Sequence, residues 1–170
     1  LRLSGRDFYF DPRTLKMAAE AGGGQYGMCC DNRGRKFVCS NSHHIQTFMY
    51  EARYAERNAF YNMPAPLADI PVDGPAAEVY RTSPEEGWRV LRTKWRVAGL
   101  ASGPIEGGGR ASGYFTSATG ITIYRGDAFP EEFVGDAFIA DVGSNLIHRK
   151  KVRPNGAGLL AERPADEQKV

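Results

Sequence analysis

The sequence predicts an all-β chain, a partial β-propeller of about three to four blades made of four-stranded antiparallel sheets. Three observations predict it. Glycine and proline are abundant, at 20 and 10 of the 170 residues, which favours many short elements joined by tight turns over a few long helices. A motif occurs twice, as Gly34-Arg-Lys-Phe37-Val38-Cys-Ser and as Gly135-Asp-Ala-Phe138-Ile139-Ala-Asp. The distance between the copies is roughly twice the ~40–50 residues of one propeller blade, and a further expected strand pair falls between them.

Taken in chain order, Phe8-Tyr9-Phe10 is a short aromatic strand that ends at Asp11-Pro12-Arg13-Thr14, a sequence suited to a type I turn. The alternative there is a helix with Asp11 as N-cap, Pro12 in the first position and Gly22-Gly23-Gly24 as its stop. Each motif copy reads as a β-hairpin, a turn glycine three positions before an aromatic–aliphatic pair. A small polar cluster follows in each copy, Asn41–His44 in one and Gly143–Asn145 in the other, and then a second apolar stretch. Phe37 and Phe138 are expected to be buried alike. Met49–Asn58 is the most helix-like stretch, and little helix is expected outside 49–60. Asn62–Asp73, with three prolines, reads as a surface loop. Glu78–Thr82 and Arg89–Val97 read as strands, Ala101–Gly113 as a loop, and Gly120–Tyr124 as a β-branched strand. The expected domain covers 1–153, and 154–170 is expected to be a poorly ordered tail leading towards further blades.

Charge and composition exclude several classes. Lys and Arg number 22 against 20 Asp and Glu, with no long block of like charge, so there is no electrostatic case for nucleic acid. No stretch approaches the ~18 apolar residues of a spanning helix, no signal peptide opens the chain, and Leu1 suggests a start internal to a longer product. Three cysteines without a C-x-x-C pattern leave no redox pair and no haem attachment in this chain. They read as small core residues.

The chemistry-bearing residues lie beside the hairpins. His43 and His44 point to opposite faces of a strand, so at most one serves a shared site; histidine suits general-base work near neutrality. Gln25 and Tyr26 follow the glycine triplet and can donate hydrogen bonds to a ligand. Arg125 can grip a carboxylate in bidentate fashion, and Asp127, Asp141, Asn145 and His148 complete a second cluster. The alternative reading is structural throughout: hydrogen-bonded turn histidines, a wet loop at Gln25-Tyr26, and an Arg125–Asp127 surface pair.

The stretches GGGQYGMCCDNRGRKFVCSNSHHIQ (22–46), VDGPAAEVYRTSPEEGWRVLRTKWRV (72–97) and GYFTSATGITIYRGDAFPEEFVGDAFIADVGSNLIHRKKV (113–152) resemble a family of bacterial membrane-bound dehydrogenases. That family is a branch of the glucose/sorbosone dehydrogenase-like β-propellers, and the resemblance covers nearly the whole chain. It implies a fragment of a six-bladed quinoprotein propeller that oxidises a sugar or other alcohol and passes electrons to a haem domain or carrier. The implied cofactors are pyrroloquinoline quinone and Ca²⁺. His44 would be the base, and Arg125, Gln25 and Asn145 would contact the cofactor; no residue is assigned to the metal. A cytochrome c domain would be a partner in the full-length protein, located in the periplasm or outside the cell and associated with a membrane there. The rival expectation is a non-catalytic β-propeller that binds carbohydrate or protein.

Overall fold

Short strands and tight turns alternate along most of the computed structural model, which describes residues 3–169. Residues 1, 2 and 170 of the expected domain and tail lie outside the described residues. The first element is a hairpin of β1 (Arg6–Asp11) and β2 (Lys16–Ala21). Asp11 shapes its turn by accepting hydrogen bonds from the Arg13 N–H at 2.8 Å and the Thr14 hydroxyl at 2.9 Å. A local side-chain bond of this kind favours a turn over a helix, so the hairpin reading holds at residues 11–14.

Two four-stranded antiparallel sheets follow. The first runs in the order β3 (Met28–Cys30), β4 (Lys36–Ser40), β5 (His43–Phe48) and β6 (Leu67–Asp69). The second runs in the order β7 (Ala118–Ile123), β8 (Ala137–Asp141), β9 (Leu146–Asn155) and β10 (Gly158–Glu162). Each is an up-and-down meander, and each motif copy supplies the second strand of its sheet. Gly34 and Gly135 enter those strands at φ +75° and +91°, a region closed to most L-residues.

The two copies differ in which face the aromatic takes. Phe37 is buried between the sheets, whereas Phe138 is only half-buried. In β8 the inward positions belong to Ala137 and Ile139, both fully buried. Phe138 therefore points outward, where Tyr124, Phe129 and Phe133 gather around it. The inner faces share one core that includes Phe37, Cys39 and Ile45 from the first sheet, and Ile121, Ile139 and Leu159 from the second. The sheets also meet at both edges. Gly120 donates its N–H to the Tyr26 carbonyl at 2.9 Å on one side. On the other, the chain beyond β6 forms a parallel bridge from Pro71 to Ala161 of β10.

Further expectations are corrected. Arg89–Val97 is not a strand: α2 (Gly87–Val97) is the longest helix, and Glu78–Thr82 forms no strand beside it. Trp88, Leu91 and Trp95 recur at the helical spacing i, i+3, i+7, and that period prevails. By contrast α1, inside the helix-like Met49–Asn58, is only Ala52–Ala55. Within the expected loop 62–73, Leu67–Asp69 is the outer strand of the first sheet. Finally, residues 154–170 are not a poorly ordered tail, because they include all of β10. A two-residue loop, Gly156-Ala157, with Gly156 at φ +56°, turns the chain back, and Leu159 and Ala161 then bury their side chains. Among the described residues, no helix is long and apolar enough to cross a membrane.

Candidate functional site

His44 leaves the surface at the start of β5 and is fully buried. Its ring stacks on Phe115 with centroids 4.1 Å apart and planes 3° from parallel. Its Nδ1–H donates to the Pro75 carbonyl, which also accepts the His44 backbone N–H at 3.3 Å. Burial, and after it the positive charge of Lys150, pushes the imidazole pKa down to about 3. A buried neutral ring that bonds the backbone holds the 73–75 segment in place. His43, its neighbour, faces the other way and meets the Asp69 carboxylate at 3.0 Å.

The other expected site residues do not gather around it. Arg125 is exposed just beyond β7, at the end of the second sheet where Ile123 pairs with Ala137. Asn145 is exposed in the β8–β9 turn at φ +54°, at the opposite end, where Ala118 pairs with Asp141. Ala118 also bonds the carbonyl of Asn41, next to His43 and His44, so His44 and Arg125 belong to opposite ends of the sheets. Gln25 is exposed, with its backbone N–H on the Cys39 carbonyl at 2.9 Å. A quinone needs its base and its carboxylate-binding arginine on one site, so these four residues do not fit one. Asp141 is buried and accepts the Thr116 and Ser117 N–H groups at 3.3 and 2.7 Å, which makes it a clamp on the chain entering β7. Cys39 and Cys29 face the core, and burial raises both thiol pKa values.

A polar site lies elsewhere, where the bridge beyond β6 meets β10. A cleft of about 540 Å³ opens there between Asp73, Glu78, Tyr80, Glu162, Arg163 and Gln168. Beneath it lies Lys150 of β9, whose side chain is 0% exposed. Its ammonium bonds the Asp73 carboxylate, and Arg163 reaches the second oxygen of Asp73 at 3.2 Å. Burial raises the Asp73 pKa, but the hydrogen bond and charge of Lys150 outweigh it, so the carboxyl lies below its ordinary value. Burial likewise lowers the Lys150 pKa, and Asp73 opposes that shift. Arg163 also donates to the Glu78 carbonyl, and its guanidinium lies over the Tyr80 ring at 5.8 Å. Tyr80 in turn donates its hydroxyl to Glu78 at 3.1 Å.

Sequence reasoning missed this constellation, although one signal was present. Alternation along β9 places His148, Lys150 and Val152 on one face, and His148 and Lys150 are both buried. A lysine on the inward face of a strand demands a partner, and residues 77 and 90 positions apart supply the arrangement.

These features define a mainly β protein of three antiparallel sheets, with a polar cleft where the two larger ones meet. Residues 2–170 match the family described as Domain of unknown function (DUF7133), and the chain belongs to that family. No curated protein and no solved structure matches the chain.

Proposed function

We propose that the chain is a carbohydrate-binding module, formed by two adjacent blades of a β-propeller, with the Asp73–Arg163 cleft as its ligand site. One observation carries this reading: a wholly buried ammonium, Lys150, is committed to fixing a single cleft carboxylate. A buried lysine is costly unless paired and hydrogen-bonded, and the carboxylate that Lys150 and Arg163 hold is thereby fixed and preorganised to accept hydrogen bonds.

The chemistry favours a neutral sugar. Asp73, Glu78 and Glu162 repel anions, while their oxygens, with Arg163 and Gln168, match the hydroxyl groups of a pyranose. Tyr80 adds an apolar ring beside them, and the volume falls in the ~300–1,000 Å³ range of small-molecule sites. The blade reading is supported by the repeated motif in the second strand of each meander and by the contact of the first strands, β3 and β7. Sugar is also the substrate class that the family resemblance implies.

The test is titration with a panel of neutral mono- and disaccharides, followed by calorimetry and NMR. Saturable binding is expected, weakened at least about tenfold by Asp73→Asn or Glu162→Gln and unchanged by Arg125→Ala. Glu162 sits on the rim, so its variant reports on binding even where Asp73→Asn lowers stability. Failure of every sugar to bind would overturn the proposal. Stoichiometric binding of pyrroloquinoline quinone with Ca²⁺, lost in Arg125→Ala, would replace it with the dehydrogenase reading.

A further inference from the structure

Helix α2 lies with its apolar face outward. At 100° per residue, Trp88, Leu91 and Trp95 form one stripe, and they are 56%, 45% and 48% exposed. The face turned to the protein is cationic instead. Arg89 is buried and bonds Glu86 at 3.2 Å, while Arg96 bonds the Ser102 carbonyl at 3.2 Å. Val97, Leu100 and Ile105, at the end of the helix and beyond it, are also more than half exposed. Val97 and Ile105 both border Gly109 and form a second, smaller apolar spot.

We propose that α2 docks this protein on the surface of an anionic phospholipid bilayer. Three observations choose the occupant. Residues 87–97 contain no acidic side chain, and of their four basic ones Arg92 and Lys94, which are not turned inward with Arg89 and Arg96, remain to complement an anionic surface. The stripe is flanked by Arg92 on one side and Lys94 on the other, positions from which long stems reach headgroups while the rings enter the interface. The stripe's aromatics are both tryptophan, the side chain favoured at headgroup depth. A partner helix fits less well, because a zipper seam needs about three or more heptads and α2 has 11 residues. A second copy would set Arg92 and Lys94 against like charge.

The chain's only two tryptophans lie on this stripe, so their emission reports on it directly. Vesicles of phosphatidylcholine with about a quarter phosphatidylglycerol are expected to shift that emission to the blue and to sediment the protein. Brominated acyl chains are expected to quench the emission. Binding weakens in about 0.5 M salt and falls about tenfold or more in Leu91→Glu. It is unchanged in Leu15→Glu, a still more exposed control on the β1–β2 turn. Both substitutions sit on the surface, and circular dichroism checks that the fold is retained. Absence of a shift with vesicles, or wild-type binding by Leu91→Glu, would overturn the proposal. So would a blue shift that grows with protein concentration in lipid-free buffer, which would point to a second copy.

Discussion

His44 behaves as a core aromatic that also carries one directional hydrogen bond. Its pKa of about 3 against an ordinary 6.5 makes it a source of acid sensitivity. Between those values the unfolded chain binds a proton that the folded chain refuses, so stability falls as the pH drops from about 6.5 towards 3. Thermal melts across that window are expected to show a smaller loss in His44→Gln than in the wild-type chain, and equal slopes would refute the assignment. A histidine in a strand beside a polar turn reads equally as a base or as packing. Nothing local in the sequence announces that Phe115, seventy-one positions on in the numbering, will cover its ring. Gln25, Arg125 and Asn145 were legible as exposed loop residues, but which end of the sheets each occupies depends on strand direction. Lys150 was the more informative residue, since its parity along β9 alone places it inward.

At the level of elements, the hairpins carry the strongest local signals, and their glycines make a measurable prediction. Gly34 and Gly135 have open space where an added methyl group would stand, so substitution acts through backbone conformation alone. Gly34→Ala and Gly135→Ala are each expected to lower unfolding free energy by about 1–2 kcal/mol. Gly87→Ala, which enters α2 with ordinary φ and open space, should leave stability unchanged or raise it. Urea titration distinguishes the cases, and a neutral outcome at both turn glycines would contradict the equivalence of the two hairpins. The same local chemistry explains what the sequence made plain: the Asp11 turn, the Gly34 and Gly135 entries and the β-branched β7. The misread elements are those with two competing periods. Trp95 and Val97 alternate with Lys94 and Arg96 as a strand would, yet the tryptophan–leucine–tryptophan spacing is helical. Residues 154–170 look polar in bulk, while Leu159 and Ala161 alternate as a buried strand requires.

For the whole molecule, the shared core and the two joined edges tie both sheets into one cooperative unit. Calorimetry is therefore expected to show one transition for residues 22–169, with the β1–β2 hairpin, a two-stranded sheet of its own, contributing little. Two well-separated transitions would show that the sheets fold independently. The sheet class and the second-strand equivalence were readable from the repeat, whereas the closing of the sheets against each other was not. That closing depends on the Pro71–Ala161 bridge, and it has a consequence for how the protein is made. Synthesis proceeds from the N-terminus, so the first sheet can be complete while Lys150 and Arg163 are still unsynthesised. Until they emerge, Asp73 is an ordinary loop carboxylate with nothing to hold it. The cleft thus comes into being only as the last strand docks, and a chain released early would have a first sheet with its inner face uncovered and no site at all.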